Sequence, residues 1–365
     1  MNNYLNLSKQ ALNQLEKVKV VNLVLGNPTC DLDSAISPII YSYLIHKEVE
    51  KCGQENEIVI PVLNIPEEDY PLKTEVKYFL ETKKIYQQNL TFADQINLNE
   101  FKSCELRIHL TDHHVLTKDW INLKSHVKSV IDHRPQDSNW LWSDIYTNIE
   151  PVGCCGTLIA QEILKRMPQI LTQEIAELLH GVIVLDTINF SPEAQRFTTT
   201  DIETVKFLQE KFNITIDNKS LFNELVAARN DISHLTSYQL LRKDLKIIHG
   251  NVALPGFPIL VRDFIKKSDA LNAINDFCNK NKFDVVILMG LFIQKDGKII
   301  RDLGIYSQNF NCDLKIRIVN VIKECEELQA KECESCIPGF VLFAQNNVKM
   351  TRKTILPIIE KTIIK

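Results

Sequence analysis

The stretch Gly26-Asn27-Pro28-Thr29-Cys30-Asp31-Leu32-Asp33-Ser34 follows directly on the apolar run at 18–25, and the same arrangement returns twice further along the chain. Residues 106–110 lead into Thr111-Asp112-His113-His114, and residues 127–131 lead into Asp132-His133-Arg134. Short β-branched apolar runs of this kind read as buried strands. In an open parallel sheet the chain leaves every strand at the same carboxyl edge, so three such strands deliver their acids to one crevice. Carboxylates about 4 Å apart repel by roughly 4 kcal/mol per pair at an effective dielectric of about 20, and a cluster of them needs a cation. These residues therefore read as ligands of a pair of divalent metals.

The intervening segments fit a parallel α/β fold. Helical spacing is expected at 34–49 and 75–82, a further strand at 58–63, and helices at 156–167 and 172–185, the last beginning at Thr172. The expected fold class is α/β, an N-terminal parallel-sheet domain with helices on both faces and a smaller C-terminal α/β domain that closes over the active site. Periodicity breaks at 191–200, where Pro192 and three consecutive threonines occur. The expected division is a metal-binding catalytic domain at 1–195, a linker region at 196–218 and a substrate-binding domain at 219–365. In the latter, helices are expected at 221–229 and 237–246, and strands at 259–261, 285–292 and 299–306.

Composition excludes several classes. With 365 residues, 45% hydrophobic and 24% charged, the chain can build two proper cores and is not disordered. No apolar run approaches the roughly 18 residues of a membrane span, and the opening residues lack the pattern of a secretory signal. A net charge of -4 gives no global pull toward nucleic acid or anionic membranes. The expected location is cytoplasmic, with the ten cysteines reduced. Cys333-x-x-Cys336 lacks a second pair at zinc-site spacing and reads as inert thiols.

Asp31 and Asp33, two residues apart in a strand-to-helix turn, can both point into the crevice, although Asp and Ser in such a turn are equally good helix caps. Asp112 is placed to bridge two metals, and His133 supplies an imidazole. Asp132 either ligates or orients a ligand. Asn27 offers a neutral carbonyl oxygen at the mouth of the turn. Asp186 follows the apolar segment 180–185, and spacing alone leaves it open between a ligand and a solvated helix terminus.

The combination of Gly26-Asn27-x-x-Cys30-Asp31-Leu32-Asp33-Ser34, Asp112-His113-His114, Val130-Ile131-Asp132-His133-Arg134-Pro135 and Leu185-Asp186-Thr187-Ile188-Asn189 resembles the four motifs of the DHH phosphoesterase superfamily. Within it the chain is most similar to the branch of Prune and the cytosolic exopolyphosphatases, related to family II inorganic pyrophosphatases. The likeness spans about 18–307 and includes Arg229-Asn230-Asp231-Ile232-Ser233 and Leu240-Leu241-Arg242-Lys243-Asp244. The resemblance implies Asp31, Asp112 and Asp186 on one metal, and Asp33, Asp112, His133 and Asp186 on the other. Pyrophosphatases of this kind carry histidine where Asn27 and Arg134 stand. Oxygen in place of imidazole favours Mg²⁺ over Mn²⁺ or Co²⁺.

The implied activity is a metal-dependent hydrolase of phosphoanhydride bonds in inorganic polyphosphate, with two divalent cations as cofactors. Arginine suits a polyphosphate because its planar fork pairs two oxygens at once. Arg134 is the first candidate, followed by Arg242, Lys243 and Arg301 in the second domain, with Lys246 beside them. Each of these second-domain cations also reads as part of a solvated face. His113 and His114 either contact phosphate and protonate the leaving group or act as oriented hydrogen-bonding residues. Gly153-Cys154-Cys155-Gly156-Thr157 precedes a helix whose N-terminus suits phosphate, but packing glycines explain it better. The rival readings are an inorganic pyrophosphatase, a phosphodiesterase on cyclic nucleotides or oligonucleotides, and a signalling scaffold acting through protein partners. No membrane or stable nucleic-acid partner is expected.

Overall fold

The structure, a computed structural model, describes residues 1–117, 119–294 and 298–364. The chain forms two compact units, Met1–Asn230 and Asp231–Lys365. All ten cysteines are unpaired. No helix among the described residues is long and apolar enough to cross a membrane.

The first unit runs α1 (Asn2–Ala11), β1 (Val20–Leu25), α2 (Leu32–Lys51), β2 (Glu57–Val62), α3 (Thr74–Thr82), β3 (Glu105–Thr111), β4 (Val127–Asp132), β5 (Tyr146–Ile149), α4 (Cys155–Arg166), α5 (Gln173–Asp186), α6 (Thr199–Phe212) and α7 (Asn218–Asn230). Its strands are all parallel, in the order β2-β1-β3-β4-β5. The chain steps from β1 out to β2 and then crosses β1 to lay down β3. The gap beyond the carboxyl ends of β1 and β3 is thus the point where strand order reverses, the standard location of a ligand crevice.

Alternation along the strands divides the core into two layers. Val21, Leu23 and Leu25 of β1 join Ile108 and Leu110 of β3 on one face, against Phe101 and Trp120. Val24, Val59 and Ile131 face the opposite way, onto Ile36 and Ile40 of α2, Ile159 of α4 and Val182 of α5. Helical cover lies on both faces but is of two kinds: α2, α4 and α5 on this second face, and short 3₁₀ turns such as Leu98–Phe101 and Ile121–His126 on the first. Each fully buried aliphatic side chain contributes about 1.5–3 kcal/mol.

Three differences from the sequence reading have physical causes. β5 was not expected, because it is an edge strand with exposed and half-buried residues and no apolar run. The linker region expected at 196–218 contains α6, which packs on α5 within the first unit, and the two units divide after Asn230. Asp186 ends α5, at the helix terminus the spacing allowed, but is half-buried there and not solvated.

The second unit comprises α8 (Ser237–Lys243), β6 (Leu245–Ile248), β7 (Val252–Phe257), α9 (Val261–Phe264), α10 (Ala270–Asn281), β8 (Val285–Ile293), β9 (Ile299–Tyr306), α11 (Asp313–Glu324), β10 (Ala330–Cys333), β11 (Val341–Gln345) and α12 (Arg352–Ile364). Its sheet, ordered β10-β11-β9-β8-β7-β6, is antiparallel except for the β7–β8 pair. The expected strand at 259–261 is instead the start of α9, whose Val261 and Arg262 amides donate to Asp302 at 2.7 and 3.0 Å. The apolar residues there are buried for packing, and a run so short carries no period to separate helix from strand. The helix expected to reach 246 stops at Lys243, where β6 takes over.

One close approach fixes β1 against α2. Pro38 has no N–H to return to the Ser34 carbonyl, so that oxygen lacks its intrahelical partner. Gly26 passes over it; a Cβ there would lie 2.0 Å from the Ser34 oxygen and 3.1 Å from Pro38 Cγ. Gly26→Ala should therefore destabilise the first unit by about 2–3 kcal/mol through overpacking. Gly53→Ala, at a left-handed position with open space around it, should lose only about 1 kcal/mol. Thermal melts of the two variants check this, and equal losses would refute the contact.

Candidate metal centre

β1 ends in a turn that presents two acids. Cys30 takes a left-handed φ of 45°, which swings the chain so that Asp31 caps α2. Asp31 Oδ1 accepts from the Ser34 amide at 3.1 Å and from the Ser34 hydroxyl at 2.8 Å. Asp33, one half-turn on, is held by the amino end of α4. Its Oδ2 accepts from the Cys155 amide at 2.6 Å and the Cys154 thiol at 3.1 Å, and its Oδ1 from the Gly156 amide at 3.1 Å and the Ser37 hydroxyl at 2.6 Å. Two N–H groups of the 153–157 segment, those of Cys155 and Gly156, thus serve a carboxylate of the centre. Gly156 is needed for packing as well, since a Cβ there would meet Val182 at 2.7 Å.

β3 ends at Asp112, which is fully buried and left-handed with φ 60°. Its Oδ2 accepts from the Ser34 hydroxyl at 2.5 Å, and its Oδ1 from Arg134 Nη1 at 2.8 Å. Arg134 Nη1 also donates to the Asp112 carbonyl, as does the Asn27 amide at 3.0 Å. Asn27 Oδ1 accepts from the Thr29 amide at 3.0 Å, so Asn27 shapes the turn and steadies Asp112. The Ser34 hydroxyl lies within reach of both Asp31 and Asp112 but has one proton, and it can satisfy only one of them.

At the end of β4, buried Asp132 accepts from His114 Nδ1 at 2.5 Å and from the Arg134 amide at 3.2 Å. His114 Nε2 in turn accepts from the Asp137 amide at 2.9 Å. With one nitrogen donating and the other accepting, His114 is a neutral brace between β3 and the loop after β4, which leaves it no proton for a leaving group. His113 donates to the Thr111 carbonyl at 2.9 Å, and burial pulls its pKa down to about 4. It is uncharged at neutral pH.

His133 donates from Nδ1 to the Val152 carbonyl at 3.0 Å. That turns Nε2 inward, where it is buried without a hydrogen bond, 3.3 Å from Asp112 Oδ1. Ligand atoms of Asp33, Asp112 and His133 lie within 4.8 Å of one another, and so do those of Asp33, Cys154 and Asp186. Of the sequence-predicted residues, Asp33, Asp112, His133 and Asp186 fall in these two groups, Arg134 lies on Asp112 at 2.8 Å, and Asp31 is linked to Asp112 through the Ser34 hydroxyl. Arg242, Lys243 and Arg301 belong to the second unit. Arg242 lies over the Tyr238 ring at 5.8 Å, Lys243 ends α8, and Arg301 Nε donates to the Val348 carbonyl at 3.0 Å.

The electrostatics fit divalent cations. Burial, followed by the Asp112 charge, pushes Asp33 up to about 6. Asp112 and Asp186 are also raised, by burial first and by neighbouring acids. Burial draws His133 down, but Asp112 and Asp33 outweigh it and push the imidazole up to about 9. Acids that hold protons so tightly, one hydroxyl shared by two carboxylates, and an orphaned imidazole nitrogen are the donor set of a metal centre.

Asp31, His133, Arg134 and Asp186 line a cleft of about 460 Å³, together with Arg196 and Phe197. Sequence reasoning missed Arg196, which has no motif around it. It also missed Asp201, which is fully buried and accepts from the Gly153 amide at 2.8 Å, the Thr198 amide at 2.7 Å and the Thr157 hydroxyl at 2.6 Å. Thr198 and Asp201 form a capping box, and that pairing is a signal visible in the sequence.

The raised His133 pKa has a testable sign. The folded state holds the proton more tightly than the unfolded chain, so its stabilisation is complete below the ordinary value of 6.5 and is lost as pH rises through about 9. In chelator, Tm should fall between pH 6.5 and 9, with His133 accounting for up to about 3 kcal/mol. His133→Asn should flatten that slope, and Mg²⁺ or Mn²⁺ should reduce it by taking the proton's place. The same slope in wild type and variant would refute the assignment.

A family model described as the DHHA2 domain matches residues 223–362. Exopolyphosphatase PRUNE1 of Homo sapiens is 30% identical over 367 residues, covering 100% of this chain and 79% of that protein. A manganese-dependent inorganic pyrophosphatase of Methanothrix thermoacetophila is 26% identical over 288 residues, covering 77% of this chain and 84% of that one. Among solved structures, a Methanococcus jannaschii protein described as a family II inorganic pyrophosphatase superposes with a TM-score of 0.51 at 19% identity, covering 94% of this chain and 100% of that one, a likeness of fold. With the motif residues gathered at one sheet edge and a relative of this similarity along its full length, the chain belongs to the Prune branch of the DHH phosphoesterase superfamily.

Proposed function

We propose that the chain is an exopolyphosphatase-type hydrolase that cleaves phosphoanhydride bonds of inorganic polyphosphate with the help of divalent cations. The observation that carries this reading is the cluster of Asp33, Asp112 and His133, with Asp186 beside it, at the switch point between β1 and β3. Asp31, Asp33, Asp112, His133 and Asp186 would hold two ions, Mg²⁺ or Mn²⁺. Bound there, such ions supply an activated water and neutralise charge on the phosphoryl oxygens.

The remaining steps fall to the chain's own groups. Val152 and the Nδ1 hydrogen bond keep His133 turned inward, so that Nε2 would face a cation that takes the place of its proton. Arg134, whose side chain is 42% exposed at the cleft, can keep one face on Asp112 and offer the other to a phosphoryl oxygen. Arg196, exposed on the cleft wall, is the second cation suited to a polyanion. Asn27, Asp132 and His114 hold these groups in place and need not touch substrate.

One observation supports a second reading. Phe197 lines the cleft and packs edge-on against Phe190 at 5.8 Å, an apolar surface that a substrate with an organic group, such as a cyclic nucleotide, could use.

The test is phosphate release from pyrophosphate, tripolyphosphate and long polyphosphate, run beside hydrolysis of cyclic nucleotides, in Mg²⁺, Mn²⁺ and chelator. Turnover of tripolyphosphate or longer chains, dependent on the cation, is the expected result. Hydrolysis of cyclic nucleotides alone would replace this reading with the second. Asp112→Ala should lower kcat by more than about 100-fold, beyond the usual loss from an outer ligand partner. Arg134→Ala and Arg196→Ala should act mainly on KM. A scaffold would keep its partners in all three variants and show no turnover in the wild type.

A further inference from the structure

Magnesium chemistry has no use for sulfur, yet a thiol sits inside this centre. Cys154 immediately precedes α4 and is fully buried, with its Sγ 3.1 Å from Asp33 Oδ2. The sulfur and the carboxylate oxygens of Asp33 and Asp186 all lie within 4.8 Å of one another. The backbone on either side is pinned: the Gly153 amide donates to Asp201, and the Cys155 and Gly156 amides donate to Asp33. A Cβ on Gly153 would meet the Arg196 carbonyl at 2.5 Å, so the segment has little room to carry the thiol elsewhere. The thiol of Cys155, the next residue, is directed to the Ile131 carbonyl at 3.5 Å and belongs to neither group of ligand atoms.

We propose that Cys154 joins Asp33 and Asp186 as a ligand, making one of the two cation positions a mixed thiolate and carboxylate site that takes Co²⁺, Zn²⁺ or Cd²⁺ in preference to Mg²⁺. The proposal rests on the metal-centre reading above and deepens it. Soft sulfur donors favour these ions, whereas Mg²⁺ prefers oxygen alone. On ligation the S–H bond breaks, the proton leaves to solvent, and the electron pair kept by sulfur forms the bond to the metal. The plain alternative is a buried cysteine that only donates a hydrogen bond to Asp33.

Anaerobic Co²⁺ titration of the full chain separates these cases. The background is Cys333→Ser with Cys336→Ser, because those two exposed thiols could bind cobalt independently. Visible d–d bands report cobalt in the centre, and a near-ultraviolet sulfur-to-cobalt charge-transfer band reports thiolate ligation. The expected result is both bands rising together, persistence of the charge-transfer band in excess Mg²⁺, its loss in Cys154→Ser and its retention in Cys155→Ser. Visible bands without charge transfer would overturn the proposal and leave the metal centre standing. A charge-transfer band that survives Cys154→Ser would overturn it too, and failure to bind cobalt at all would overturn both readings. If Cys154→Ser does not fold, X-ray absorption on the same background loaded with Zn²⁺ decides: a sulfur neighbour at about 2.3 Å supports the proposal, and an oxygen and nitrogen shell alone refutes it.

Discussion

Negative charge concentrated in a dry place is the constraint from which the rest of this structure follows. Asp33 and Asp112 are buried, Asp186 is half-buried beside them, and Asp31 is one hydroxyl away. A buried carboxylate without compensation costs several kcal/mol, so each must be met by protons, dipoles or cations. Part of the compensation is built in. The amino end of α4 directs two amides at Asp33, Arg134 lies on Asp112, and His133 is held charged by its acidic neighbours. The Ser34 hydroxyl has a single proton for the two carboxylates it reaches, and the proposed divalent ions would meet the charge that remains.

The topology makes this concentration unavoidable. Because the chain reverses direction of strand addition between β1 and β3, the turns after both strands diverge and leave a gap, and their acids line it. Backbone conformations that cost energy gather at the same edge. Cys30 and Asp112 are left-handed, and so is the run Ile188, Asn189 and Phe190 that follows Asp186. Non-glycine residues adopt such angles only where surrounding structure enforces them; the Ile188 and Asn189 amides, for example, are tied back to the Leu185 and Val184 carbonyls.

Much of this was legible in the sequence, for identifiable reasons. β1, β3 and β4 each bury a row of aliphatic residues (Leu23 and Leu25, Ile108 and Leu110, Val130 and Ile131), and the acids after them stand out against that background. β5 lies at the sheet edge and has no such run. Asp186 was ambiguous by spacing and became a ligand candidate only through family resemblance, since its role depends on how α5 packs against α2 and α4. Cys154 was read only within the 153–157 turn and Ser34 only as a motif residue and helix start, because their contacts to Asp33 and Asp112 join segments far apart in the chain, and Arg196 has no motif around it. His113 and His114 also stand at this turn: both nitrogens of His114 are engaged in bracing it, and His113 donates to the Thr111 carbonyl.

Asp201 shows why sequence breaks and folding units differ here. Its carboxylate receives groups from both ends of a link: Gly153 and Thr157 at the base of α4, and Thr198 at the base of α6. A protein cut at residue 195, where proline and threonines suggest a seam, would forfeit this acceptor, free the Gly153 amide, and loosen the very helix end that grips Asp33. The compact unit that carries the acidic centre accordingly includes α6, and it ends at Asn230.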